Sequence, residues 1–373
     1  MSNLARSAMS ARLAKLPAMP PVASEEDDEF DDEGSPGELP PMRPPPLKHK
    51  MKQTTSKPNP AYAPVSAAGY FTQALQVAVS AAELDVRVYY TPPAKDGGTV
   101  VVCHHGAGYS ALSFALFARD VVQLSGGECG VLAMDARAHG KTQSTADNTE
   151  LDLSLDKLSS DFVQFIQTIF PVPAEAPSFL FVGHSMGGAV VVDACPVLLD
   201  LKYRVVGVTV VDVVEGSALD ALPHMHALLA SRPTGFGSIE EGVEWHLNTH
   251  ALRNIDSARV SIPGILTPAP GGDGYVWRAP LANTAPFWEN WFKDLSKKFL
   301  ATRAARLLVL AGTDRLDKDL MIGQLQGKFQ LVIVPHVGHL VQEDDPARAA
   351  EIVVEFWRRN DRVVPGVKKV GEL

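Results

Sequence analysis

The 373-residue sequence has only three cysteines, Cys103, Cys129 and Cys195, an odd set with neither CxxC nor metal-ligand spacing. A disulfide framework is thereby excluded, and the thiols read as free, buried side chains in a reducing compartment. Clustered positive charge is also missing. The formal net charge is -9 and the pI about 5.7, which argues against a nucleic-acid binder, because phosphate contacts need grouped Lys and Arg. No apolar run approaches bilayer-spanning length, so no membrane segment is expected. Neither a metal nor a cofactor is expected, since no carboxylate or thiol stands at ligand spacing from the paired histidines His104 and His105.

A hydrophobic content of 46% is enough for a large core, and one catalytic domain with appendages is the simplest division of this length. Residues 1–58 are expected to be a disordered tail. Up to Pro20 they carry Arg6, Arg12 and Lys15 among Ser and Ala with no acid, a composition shared with organellar transit peptides. An acidic run, 25–33, and a Pro-rich basic stretch, 40–50, follow; such sequences bury too little apolar surface to offset chain entropy. The folded domain is expected over 59–365, with a short tail over 366–373, and the location is expected to be intracellular, cytoplasmic or nuclear.

From about residue 60, β-rich apolar runs alternate with amphipathic helical segments, the pattern of a mostly parallel sheet covered on both faces. Strands are expected at 84–90, 99–103, 131–134, 179–182, 205–211, 306–310 and 330–334. A long insertion between the strands near 211 and 306 reads as a helical cap over about 217–300, with helices at 217–230, 238–249 and 287–300. It holds Trp245, Trp277, Trp288 and Trp291, four of the five tryptophans. A cap in that place would roof the crevice where α/β folds bind ligands.

The chemistry is announced by Gly183-His-Ser-Met-Gly187, which ends an apolar strand and opens a helix. That is a nucleophile elbow with Ser185 at its tip, and glycines two residues to either side leave room for the sharp turn. The N–H of Met186, at the helix start, points to where an acyl oxygen becomes negative. A serine hydroxyl needs a base, and His339, in the loop after the last strand, fits the chain order of α/β-hydrolases; His336 is the competitor. Two aspartates could orient the base. Asp212 ends the strand after the elbow helix and Asp314 ends the next one, and spacing alone favours Asp314. The second oxyanion donor is expected from His104-His-Gly-Ala-Gly108, at Ala107, with Gly108 next, while His104 and His105 read as supports of that loop.

At these residues the chain resembles the protein phosphatase methylesterase family of α/β-hydrolases, over about residues 60–360. The resemblance rests on 134–140 (Met-Asp-Ala-Arg-Ala-His-Gly), 183–189, Asp212-Val-Val-Glu-Gly216, Tyr275-Val-Trp-Arg278 and 311–320, among other runs. It implies an α/β-hydrolase fold and a serine esterase that demethylates the C-terminal leucine of the type 2A protein phosphatase catalytic subunit. It also implies a catalytic set of Ser185, Asp212 and His339, reversing the choice that spacing favours. Two departures stand out: the family's glycine-only oxyanion loop has Ala107 here, and the charged cap insertion of animal members is reduced to a Pro/Gly loop. The alternatives are a protein that sequesters inactive phosphatase, and a generic small-ester hydrolase. Dehalogenase and epoxide-hydrolase chemistry is disfavoured, because it needs an aspartate where Ser185 stands.

Overall fold

The middle of the central sheet is built from strands too apolar to tolerate water on either face. The computed structural model describes residues 58–146, 151–312 and 316–361. Its strands are β1 (Gln73–Val79), β2 (Leu84–Thr91), β3 (Thr99–His104), β4 (Cys129–Met134), β5 (Gln143–Ser144), β6 (Ser178–His184), β7 (Val205–Val211), β8 (Gly235–Phe236), β9 (Leu266–Pro268), β10 (Tyr275–Trp277), β11 (Ala305–Ala311) and β12 (Gln330–Val334). The main sheet runs β1-β2-β4-β3-β6-β7-β11-β12, with β5 beside β2. All pairs from β4 to β12 are parallel, whereas β2 is antiparallel to β1, β4 and β5.

Period-two alternation sends successive side chains to opposite faces. Val100, Val102, Phe179 and Phe181 join one core, with the helices Leu155–Ile169 and Met186–Asp200. Val101, Cys103, Leu180 and Val182 join the other, under the helices Ala115–Leu124 and Pro346–Asp361. Both faces are therefore sealed, and the C-terminal ends of the parallel strands are where loops can carry chemistry. All three cysteines are free and buried, as expected.

The cap departs from its expected all-helical form. Besides the helices Glu215–Ser231, Ile239–Asn248 and Ile255–Ile265 it contains a small antiparallel sheet, β8-β10-β9. Phe236, Val243, Ile262 and Leu266 form a separate core for this region. The helix expected at 287–300 is broken into Trp288–Phe292 and Leu295–Ala301 by Asp294 in the left-handed conformation, φ 61°. Glu215 stabilises the break by accepting the N–H groups of Asp294 and Ser296, each at 3.0 Å.

Among the described residues no helix is long and apolar enough to cross a membrane. The tail expected over 1–58 falls, but for Pro58, outside the described residues, as do the tail over 366–373 and the alternative acid Asp314.

Candidate active site

Ser185 stands between β6 and the helix Met186–Asp200 with φ 51° and ψ -120°, a strained conformation for a residue with a side chain. Neighbouring contacts explain why the turn needs glycine. A Cβ on Gly183 would lie 2.1 Å from the carbonyl oxygen of Gly187, and one on Gly187 would lie 2.2 Å from that of His104. The turn is pinned from the next strand, since the Ser185 N–H donates to Val211 O at 3.0 Å.

Val211 is the last residue of β7, and the chain turns there through Asp212 at φ 53°. That turn aims the Asp212 carboxylate across the strand ends. Its Oδ1 accepts the Ala311 N–H at 2.6 Å, and its Oδ2 is 2.7 Å from Nδ1 of His339. A carboxylate can only accept, so Nδ1 carries the ring proton and Nε2 keeps its lone pair. The Asp212 side chain is 11% exposed and the imidazole 54%: the carboxylate is shielded while the imidazole faces open space.

The loop bearing His339 is held in two places. Asp344 accepts the Gly338 N–H through Oδ2 at 2.6 Å and the Arg253 N–H through Oδ1 at 2.8 Å. The Arg253 guanidinium donates to His336 O at 2.7 Å. His336 itself is exposed, and its ring has no hydrogen bond among the described residues, so Asp212 engages His339 and not the competitor. His184, next to the nucleophile, donates from Nε2 to the carbonyl of His339 at 2.9 Å, with the rings 4.6 Å apart. Burial, and then the neighbouring His339, push His184 well below the usual histidine range, so it is neutral. The structure thus joins Asp212 to His339 directly and ties His339 to the elbow through His184. Ser185 Oγ has no hydrogen-bond partner among the described residues, and in resting sites this contact often tightens only with substrate.

The loop after β3 comes against the elbow: a Cβ on Gly106 would lie 3.2 Å from Ser185 Cβ. Its two histidines are supports, as expected. His105 Nε2 accepts the Ala136 N–H at 2.9 Å, which leaves its proton on Nδ1, donated to Gly106 O at 2.8 Å. His104 Nδ1 lies 3.0 Å from His105 O, and burial pushes its pKa down to about 4. Among the described residues the N–H groups of Ala107 and Met186 have no acceptor, and Met186, as first residue of its helix, has none to find there. Gly108, at φ +83°, packs under the cap, where a Cβ would meet Leu281 Cδ1 at 2.6 Å. No group of three or more metal-ligating side chains occurs among the described residues.

Three residues of this site escape sequence reasoning. His184 reads as the variable position of the elbow. Asp344 is hidden in the acidic run 343–345, and Arg253 belongs to a run that carries the family resemblance but gives it no role. Each acts through a long-range hydrogen bond that leaves no periodic signal.

A sequence model of the Alpha/beta hydrolase family matches residues 101–352. The chain is 43% identical to protein phosphatase methylesterase 1 of Cryptococcus neoformans, over 100% of this chain and 96% of that protein. It is 41% identical to the protein of the same name in Aspergillus oryzae, over 97% and 91%. Among solved structures, E-2-(acetamidomethylene)succinate hydrolase superimposes with a TM-score of 0.60 at 21% identity, over 76% of this chain and 98% of that one. An esterase of Mycobacterium tuberculosis does so with 0.54 at 20% identity, over 75% and 90%. These two likenesses speak for the fold alone.

Proposed function

This chain belongs to the protein phosphatase methylesterase family of α/β-hydrolases, and from that premise we propose that it is a serine carboxylesterase acting on the methyl ester at the C-terminal leucine of a type 2A protein phosphatase catalytic subunit. His339 Nε2 takes the Ser185 proton as Oγ attacks the ester carbonyl. The oxyanion is received by the N–H groups of Met186 and Ala107, each worth about 3 kcal/mol of transition-state stabilisation when well aimed. Methanol leaves with the proton returned by the imidazolium, and water cleaves the acyl-enzyme by the same route. Asp212 holds the ring tautomer and stabilises its charged form.

The observation that carries this reading is the 2.7 Å contact between Asp212 Oδ2 and His339 Nδ1 at the foot of the elbow. An acid-oriented imidazole beside a strained serine is a costly arrangement with no use in a protein that only binds. The departing product is a carboxylate, which an apolar leucine pocket holds less well than the neutral ester and so releases.

Ser185→Ala tests the proposal. Demethylation of purified methylated phosphatase should disappear while association with the phosphatase persists. A Ser185→Ala enzyme that still removes the methyl group would eliminate the serine mechanism. Comparable turnover of simple aryl esters and of the intact phosphatase subunit would favour a generic esterase instead.

A further inference from the structure

A cleft opens on the same edge of the sheet as the elbow. It has a volume of about 570 Å³ and is walled by the loop after β4, the start of β2 and the cap segment that follows β10. Arg278, the last residue of the Tyr-Val-Trp-Arg run, lines it. The Arg278 backbone is fixed, its N–H donating to Ile265 O at 2.9 Å. Its guanidinium makes no hydrogen bond or ion pair among the described residues, and Nε is buried without an acceptor. A buried donor left unpaired costs about 1–3 kcal/mol, more for a charged group, and a ligand acceptor in the cleft would recover that cost.

The other charges around the cleft define what would fit. Lys141 shares the wall, and its ammonium has no ion-pair partner among the described residues; its backbone N–H is held by Asp135 Oδ2 at 2.7 Å. Gln76 fixes the rim by donating from Nε2 to the carbonyls of Asp85 at 3.0 Å and Lys141 at 3.3 Å. Asp85 is the single acid in the wall. Asp135 lies behind it, within the fields of both Arg87 and Arg278, and its two oxygens are occupied by the N–H groups of Ala111 and Lys141. Arg278, Lys141 and Arg87 against Asp85 and Asp135 leave one uncompensated positive charge, which a carboxylate neutralises and a dianionic phosphate would overrun.

The cleft is a chain neighbour of the elbow region. Pro280 is in its wall, and the next residue, Leu281, is the one packed against Gly108 of the oxyanion loop. Across the sheet, β4 is separated from β6 by β3 alone, and Met134 and Gly183 are level with each other through His104. Two to three strand spacings amount to roughly 10–15 Å, which an extended chain covers in about three to five residues.

We infer that Arg278 and Lys141 form an anion-recognising subsite that binds a side-chain carboxylate of the substrate polypeptide about three to five residues before its esterified C-terminus. The subsite rests on the esterase reading for its substrate, but not for its existence as a carboxylate site. It makes the enzyme selective for acidic tails and places the binding energy away from the reacting carbonyl.

The test uses the full-length enzyme and synthetic peptides ending in leucine methyl ester, neutral except for one aspartate moved stepwise along the chain. The wild type should show kcat/KM at least tenfold above the all-neutral peptide when the aspartate stands three to five residues before the leucine. In Arg278→Gln that ratio, which cancels any general loss of activity, should fall to near one through a rise in KM, while Arg278→Lys should keep part of it. Phosphoserine at the same position should bind less well than aspartate. Anisotropy of labelled free-acid peptides on Ser185→Ala, which needs no turnover, should give the same ranking. If aspartate position has no effect in either assay, or the ratio survives in Arg278→Gln, the subsite is refuted. If the binding preference holds but no ester is cleaved by any serine-containing form, the esterase reading falls and the subsite stands.

Discussion

Asp212 uses each of its oxygens once, one on the Ala311 N–H and one on His339 Nδ1. An asparagine can reproduce only one of these acceptors. Asp212→Asn should therefore leave the fold intact, because the backbone N–H of residue 212 still donates to Val309 O, and reverse the tautomer that the ring must hold. The expected outcome in a demethylation assay is a fall in kcat of about three to four orders of magnitude. The same change at Asp314 should cost less than about tenfold, and a comparable loss there would mean that the acid has been assigned to the wrong strand. The strained turn at Ser185 and the placement of His339 in the loop after the last strand were legible in the sequence, since an elbow is a local pattern and the α/β-hydrolase chain order points to that loop. The acid was not decidable from spacing, because both β7 and β11 run out into aspartate. The left-handed turn at residue 212 brings that carboxylate to His339, and nothing in the composition of the strand foretells it.

Elements long enough to express a period or a continuous apolar run were legible, and the others were not. The buried strands β3, β4, β6 and β7 each fill with Val, Leu, Phe or Met, and all lie where the continuous apolar runs put them. Strand β1 escapes because most of its residues face solvent, and the cap strands β8, β9 and β10, at two or three residues each, are too short to show alternation. The apolar spacing through Trp288, Trp291, Leu295 and Phe299 runs straight across the break at Asp294, so only the tertiary contact from Glu215 reveals it. The loop carrying His339 is likewise organised by a residue outside any period. Asp344→Ala should free the Gly338 and Arg253 N–H groups, lower stability by about 1 kcal/mol at these partly solvated bonds, and reduce kcat by about tenfold or more, with a smaller change in KM. Asp344→Asn, which keeps one acceptor, should recover part of the loss. Equal kcat in wild type and Asp344→Ala would show that the loop holds itself.

For the molecule as a whole, buried histidines set the response to acid. His104 in the body and His246 in the cap both have their pKa pushed to about 4 by burial, against about 6.5 in an unfolded chain. Between those values the unfolded state binds more protons, so their contribution is complete above pH 6.5 and is lost as the pH falls toward 4, at about 1.4 kcal/mol per pH unit each. Asp135 has the opposite sign. Burial raises it to about 6, and its contribution, complete below the unfolded value near 3.8, is lost as pH rises through 6, which offsets about one histidine in the overlap. The net expectation is a thermal midpoint several degrees lower at pH 5 than at pH 7, with a flatter slope in His246→Gln; an unchanged slope would show that His246 does not titrate on unfolding. The bond from His184 to the carbonyl of His339 has a mechanical meaning too. Residue 184 is the covalent neighbour of the nucleophile and at the same time the tether of the base, so a disturbance that shifts one partner drags the other with it. Errors in alignment are shared instead of accumulating, and two groups more than a hundred positions apart in the chain ride out thermal jostling on a common mount.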